Sequence, residues 1–133
     1  MALVNRSSGF VNSLIVETAV IGNGFAVKFG SDNTKVVLAA AATDLIIGVA
    51  YVPGGDTNNN TAAVGDYVDV IMGFCSTYAK AGGTIAAGDR VTSDAAGKLI
   101  TTTTALNKVV GIALAAAASN DLVPIMLTMG ATV

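Results

Sequence analysis

The chain of 133 residues has no histidine and no tryptophan, a single cysteine, a single glutamate and two prolines, and only 12% of it is charged. Without histidine there is no imidazole base, no Ser–His pair and none of the zinc sites that use imidazole ligands. The lone Cys75 cannot close an internal disulfide, and beside Phe74 and a predicted strand it reads as a buried small hydrophobe, not a nucleophile. Most of the eight aspartates adjoin Gly, Asn or Ser in turn-like stretches. Asp66 and Asp69 are three apart, which in a strand puts them on opposite faces and argues against a paired-carboxylate site. Asp32-Asn33 and Asp56-Thr57-Asn58 offer oxygens for calcium without the spacing of a ligand loop. Gly22-Asn23-Gly24 lacks the third glycine, the helix and the distant acid of a dinucleotide fingerprint. These absences argue against catalysis, and neither metal nor cofactor is expected.

The shortage of charge is itself informative, because an ordinary soluble domain is about 25% charged. The longest uncharged runs, Val109–Asn120 and Leu122–Val133, are 12 residues each, short of the roughly 18 needed to span a bilayer as a helix. A transmembrane barrel needs more alternating strands than this length supplies. The seven Lys and Arg residues are scattered singly and the net charge is −2, which argues against nucleic-acid binding through phosphate neutralisation. The opening Met-Ala-Leu-Val-Asn-Arg-Ser-Ser-Gly has no charged region leading into an apolar core, so no secretory signal is expected and the chain suits folding in a reducing cytoplasm. What remains is a surface of small neutral residues that protein partners cover.

What is present is a pattern written twice. Residues 24–28, 34–38, 46–50 and 68–72 match 88–92, 97–101, 109–113 and 123–127 in the order of Gly, apolar and β-branched residues. Lys35 to Gly48 and Lys98 to Gly111 both span 13 residues, and the one large difference in spacing falls on the Gly- and Asn-rich stretch Pro53–Thr61, read as a loop. Short β-rich runs at this spacing, about nine or ten of them, predict an all-β small barrel, β-tulip or sandwich built from two quasi-repeated units. The expected division is an extended N-terminal arm over 1–13 and one β domain over 14–133, with units at about 14–74 and 75–133. An edge strand of the main sheet is the alternative for the arm, since nothing in Ala2–Ser13 has a helical period.

Within the units, Phe25, Val27 and Phe29 alternate onto one face, as do Val68, Val70 and Met72 against Tyr67, Asp69 and Ile71. Cys75–Lys80 is expected to continue that last strand. Gly65-Asp66-Tyr67-Val68 and Gly88-Asp89-Arg90-Val91 share a Gly-Asp-x-Val pattern, a turn in which glycine takes the unusual dihedral and the carboxylate accepts from nearby amides. Ala39–Ala42 is expected to form a helical turn or a strand extension, and Leu114–Ala118 a helical turn. Pro124 cannot donate to a ladder, so it is expected at a strand start or an exposed edge.

The second unit resembles a family of tailed-phage capsid decoration (cement) proteins, through Ala81–Lys98 with its Gly82-Gly83 and Gly88-Asp89-Arg90-Val91, Val110–Leu114 and Val123–Leu127. The resemblance covers roughly residues 15–133 and implies a small β-barrel or β-tulip protein on the outside of the assembled phage head. It further implies a homo-oligomer, commonly a trimer at three-fold positions, with the major capsid protein as partner and no catalytic residues. Leu3, Val4, Arg6 and Phe10 are the candidate partner contacts, since an extended arm can add to an exposed sheet edge. Packing of these residues within the protein's own oligomer is the competing expectation. Two other functions fit the bare residues: a small barrel of ligand-binding or carrier type, and another shell or tail-tube subunit.

Overall fold

The computed structural model describes residues 10–52, 61–73 and 75–133, and among these residues there are twelve strands and no helix. The first unit contains β1 (Phe10–Val16), β2 (Ile21–Gly22), β3 (Ala26–Phe29), β4 (Lys35–Leu38), β5 (Gly48–Tyr51), β6 (Thr61–Ala62) and β7 (Tyr67–Met72). The second contains β8 (Ser76–Lys80), β9 (Arg90–Ser93), β10 (Leu99–Thr101), β11 (Lys108–Ala113) and β12 (Leu122–Thr132). Strands β1-β4-β3-β5-β7 close into a barrel, while β10-β9-β11-β12-β8 form the second sheet and β2 pairs with β6. Alternation fills the barrel: Leu14, Val16, Val27, Val36, Ala50, Val68 and Val70 point inward and are buried together.

The expected duplication is visible strand by strand. β5 pairs with β7 at Ala50–Val70, and β11 pairs with β12 at Ala113–Ile125. β1 meets β4 in parallel at Val16–Val36, and an isolated parallel bridge, Ala81–Leu99, joins the end of β8 to β10. The β2–β6 pair of the first unit answers to the antiparallel bridge Ile85–Ala117 of the second. Even the glycines correspond. A Cβ on Gly48 would come within 3.0 Å of the Ile71 carbonyl, and one on Gly111 within 3.0 Å of the Met126 carbonyl, so both positions need the neighbouring strand to approach a bare Cα.

The units meet through backbone bonds and a shared apolar layer. Lys80 N donates to Gly24 O at 2.8 Å, Ala26 N to Gly97 O at 2.7 Å, and Lys108 N to Ala42 O at 2.7 Å. The row Ala26–Val49–Ile71, directly opposed across β3, β5 and β7, faces away from the first barrel's interior and is buried in one cluster with Ile85, Val91, Leu99, Ile125 and Leu127 of the second unit.

Four expectations need correction. Residues 10–13, assigned to the arm with an edge strand as the alternative, form the start of β1, where Phe10 to Ser13 pair with Met72 to Asp69; distant pairing, not a local pattern, makes them a strand. The chain does not run on from β7 into β8, because Gly73, at φ 84, turns it into the other sheet. Neither alanine run is helical. The Asp44 carboxylate takes the amides of Ala40 and Ala41 at 2.8 and 3.1 Å, while Leu114 N and Ala117 N donate to Pro124 O and Ile85 O, so these amides bond outside their own runs. Pro124 sits third in β12, between β11 and β8, and not at an edge. Its carbonyl accepts from Leu114, just past the end of β11. Nitrogen and carbonyl of one residue face the same side in an antiparallel strand, so its missing N–H falls opposite Leu114, just past the last paired residue of β11, and costs a single bond at the end of that ladder. Of the Pro53–Thr61 loop, Thr61 begins β6 and residues 53–60 lie outside the described residues.

Gly111→Ala is expected to lose about 2 kcal/mol or more of stability, within the range for overpacking against fixed atoms. Gly65→Ala, at φ 91 with nothing within 4 Å of its Cβ, is expected to lose only about 1 kcal/mol from the left-handed backbone. Urea denaturation of the two variants checks the order, and equal losses would refute the close-approach role of Gly111.

Candidate functional site

Among the described residues no three His, Cys, Asp or Glu side chains gather in a way that would hold a metal ion. Cys75 is buried, in the apolar cluster shared by the two units. Most of the described aspartates serve turns, while Asp69 on β7 accepts from the Ser13 hydroxyl at 2.8 Å. Gly88 has φ 87, and Asp89 Oδ2 accepts from Ala86 N at 2.9 Å and from Thr101 Oγ1 at 2.8 Å. Gly65 has φ 91, and Asp66 Oδ2 accepts from Ala63 N at 3.2 Å. A third turn of the same build escaped the sequence pattern because Asn120 replaces the glycine: its φ is 70, and Asp121 Oδ2 accepts from Ala118 N at 3.2 Å. The signal was there in Asp121-Leu122-Val123, since Asn is the side chain that best tolerates this region.

With the closed barrel filled and most of the described acids committed to turns, the surface is what can act. Of the four candidate contacts, Leu3, Val4 and Arg6 lie outside the described residues. Phe10 opens β1 opposite Met72, the last residue of β7, so the segment before it joins the barrel where the two units connect. The structure also exposes apolar residues that the sequence did not single out. Leu45 and Leu106, in the β4–β5 and β10–β11 loops, are 69% and 74% exposed, and Leu106 holds a φ of 73, which is costly for a non-glycine residue. Tyr67 on the outer face of β7 is 67% exposed.

The outer face of the second unit carries a row that corresponds to Ala26–Val49–Ile71. Ile112 stands opposite both Arg90 and Met126. Unlike its counterpart this row is open: Arg90 is exposed and Met126 is 42% exposed, with Leu114 nearby at 41%.

Charge on this exterior is sparse and locally neutralised. Lys28 Nζ lies 2.9 Å from Asp44 Oδ2, and Lys35 Nζ lies 3.7 Å from Asp32 Oδ2. Burial pushes the Asp44 carboxyl upward, but the Ala40 amide, the Lys28 ammonium and the Ala41 amide together hold it below the ordinary value of 3.8. Burial, with repulsion from Lys98, pulls the Lys80 ammonium below the usual lysine range against the attraction of Asp121.

Two filled β units with a weakly charged exterior make a structural protein that works by its surface. The family model of the phage cement protein matches residues 6–127, and the chain belongs to that family: it is a structural virion protein with a role at the capsid. Its fold is similar to the crystal structure of the head fiber gp8.5 N base of bacteriophage phi29, with a TM-score of 0.65 at 18% identity, covering 90% of this chain and 94% of that one. At that identity the likeness is one of fold. No curated protein matches the chain in sequence.

Asp44, with a folded pKa below its unfolded one, adds stability above about pH 4 that is lost as pH falls through the folded value. Asp44→Asn is therefore expected to cost about 1 kcal/mol at neutral pH and much less at a second, acidic pH below the folded value, where wild type has lost the same contribution. Urea midpoints at the two pH values check this, and an equal loss at both would assign Asp44 a purely steric role.

Proposed function

We propose that this protein decorates the outside of a phage head and stabilises the mature shell as a homo-oligomer, a trimer, bound to the major capsid protein. Membership of the cement family over nearly the whole chain carries this reading, and the apolar filling of the closed barrel supports it. The carrier-type alternative needs a polar-lined cavity, whereas the first barrel is occupied by Leu14, Val16, Val27, Val36, Val68 and Val70. No catalytic step is assigned to any residue. Synthesis in the host cytoplasm and assembly onto the finished head complete the reading.

Mechanistically, a cement protein that binds only the assembled lattice stabilises it by mass action. Linking several weak contacts through one oligomer raises the effective affinity without any single strong site. This suits an exterior with few charges and no large cluster of ionic anchors. We assign the contact with the shell to the segment carrying Leu3, Val4 and Arg6 and ending at Phe10, which can add to an exposed sheet edge by backbone pairing.

Co-sedimentation with heads stripped of this protein tests the reading. Full-length protein is expected to pellet with heads, and failure to do so would remove the decoration role. Deleting residues 2–9, which leaves β1 whole, is expected to preserve the melting temperature and oligomer size while reducing head binding at least tenfold. Undiminished binding by the truncated protein would take the contact away from this segment.

A further inference from the structure

Five turns among the described residues share one build, and one of them holds a residue ill suited to it. The amides of Phe25, Asp66, Asp89, Asn107 and Asp121 each donate to the carbonyl three residues back, at 3.0 to 3.3 Å. The residue before each donor has a positive φ: Gly24 at 85, Gly65 at 91, Gly88 at 87, Asn120 at 70 and Leu106 at 73. This is the third position of a type II turn, where glycine or asparagine is favoured because most side chains crowd the backbone there. Four of the five turns comply. Leu106 does not, and at 74% exposed it gains little from packing within the chain. The turn is held by other groups: Leu106 N donates to Val133 O, and Asn107 Nδ2 to Thr102 Oγ1 at 2.8 Å. A local rule broken with no return inside the fold marks a residue kept for contact with something else.

The surroundings of Leu106 indicate what that is. Lys108 N donates to Ala42 O at 2.7 Å, which ties this turn to the β4–β5 loop, where Leu45 is 69% exposed. β5 begins three residues after Leu45, with Val49 opposite Ile71. Met72 follows Ile71 and stands opposite Phe10. Leu106, Leu45 and Phe10 therefore lie along one rim, at the end of the first barrel where β7 finishes and β1 starts. The segment before Phe10, assigned above to the shell, joins the fold at this rim. Its nearest cations are engaged, Lys28 Nζ with Asp44 and Lys108 Nζ with Thr132 Oγ1. A surface of this kind is desolvated at low cost and suits a partner that is apolar and uncharged.

We propose that Leu106 and Leu45 are anchors that enter an apolar, uncharged groove of the major capsid protein, beside the contact made by the segment before Phe10. The unfavourable backbone of Leu106 is tolerated because it holds the side chain out toward the shell before binding, so that little ordering is left to be done on contact. The proposal rests on the decoration reading and adds to it the folded surface that faces the head.

The test uses the full chain with Leu106→Asn, the residue that this chain itself places in the same conformation at position 120. Its melting temperature is expected to stay level or rise by up to about 5 °C as the backbone conflict is relieved, while co-sedimentation with heads stripped of this protein is expected to weaken at least tenfold. Leu45→Asn is expected to weaken binding similarly without changing stability. Tyr67→Thr, at the opposite end of β7 and 67% exposed in wild type, is expected to bind as wild type does. A lowered melting temperature in Leu106→Asn would make the leucine a structural residue and overturn the proposal. A changed oligomer size in either asparagine variant would place the leucines between copies and overturn the shell as their partner. If wild type and both asparagine variants pellet equally, decoration stands and the leucine anchors fall; if wild type itself fails to pellet, the decoration reading falls and the anchors with it.

Discussion

Burial of one cross-strand row, Ala26–Val49–Ile71, holds the two halves of this molecule as one body. β3, β5 and β7 are covered on both faces, by the barrel interior on one side and by the second unit on the other, which is why Val49 and Ala50, or Val70 and Ile71, are buried as consecutive residues. Side chains that alternate between two covered faces give an unbroken apolar run, not an alternating one. Full burial of Val49 and Ile71 contributes roughly 1.5–3 kcal/mol each relative to exposure. The three backbone bonds between the units add direction to this layer, because each fixes a particular pair of loops and leaves little freedom of register.

The two units keep the same physics where the backbone demands it and exchange residues where it does not. Gly48 and Gly111 are fixed by the neighbouring strand, and Gly65 and Asn120 fill the same left-handed position with different residues. The carboxylates at the β3–β4 and β9–β10 turns are placed differently again. In the first unit Glu17, at the end of β1, accepts from Ser31 N at 3.1 and 3.0 Å and from the Ser31 hydroxyl, packed against Gly30. In the second unit the glycine is Gly82, at the position of Glu17, and the acid is Asp94, at the position of Gly30. Asp94 Oδ1 accepts from Ala96 N at 2.8 Å and Lys98 N at 3.0 Å, while its Oδ2 faces Gly82. One acid and one glycine share the space in both cases, with their owners exchanged. A turn needs an acceptor for its free amides, and it is indifferent to which strand supplies it.

This indifference sets what could be read from the sequence. The all-β class, the duplication and its register were legible, because a pairing such as Ala50–Val70 fixes the spacing of many residues at once. The extent of β1 was not: Asn12 and Ser13 are exposed and polar on a strand whose partners lie almost sixty residues away, so no local signal separates them from an arm. Pro124 and the alanine runs failed for a shared reason. Their fate depended on where β11 ends and on which distant carbonyls and carboxylates claim their amides, and propensity carries no information about either. The candidate surface was the least legible part, since exposure of Leu45, Met126 and Leu114 follows from the packing of one unit on the other.

The shortage of charge can now be placed. Lys28 and Asp44, or Lys35 and Asp32, neutralise one another at the turns, and Asp66, Asp89 and Asp121 are committed to backbone amides. Few charges are left to solvate the outer strands, where Tyr67, Met126 and Leu114 stand among small neutral residues. An isolated domain with such a surface has little colloidal protection, whereas a protein whose working state is enclosed by neighbours gains from it. Small uncharged side chains can be desolvated at low cost, and a contact built from them carries no unpaired ion into the interface. A composition without histidine and with few free charges is therefore also one that makes a wide, weak and repeatable contact possible, and a shell with many equivalent positions is the kind of partner for which such a contact suffices.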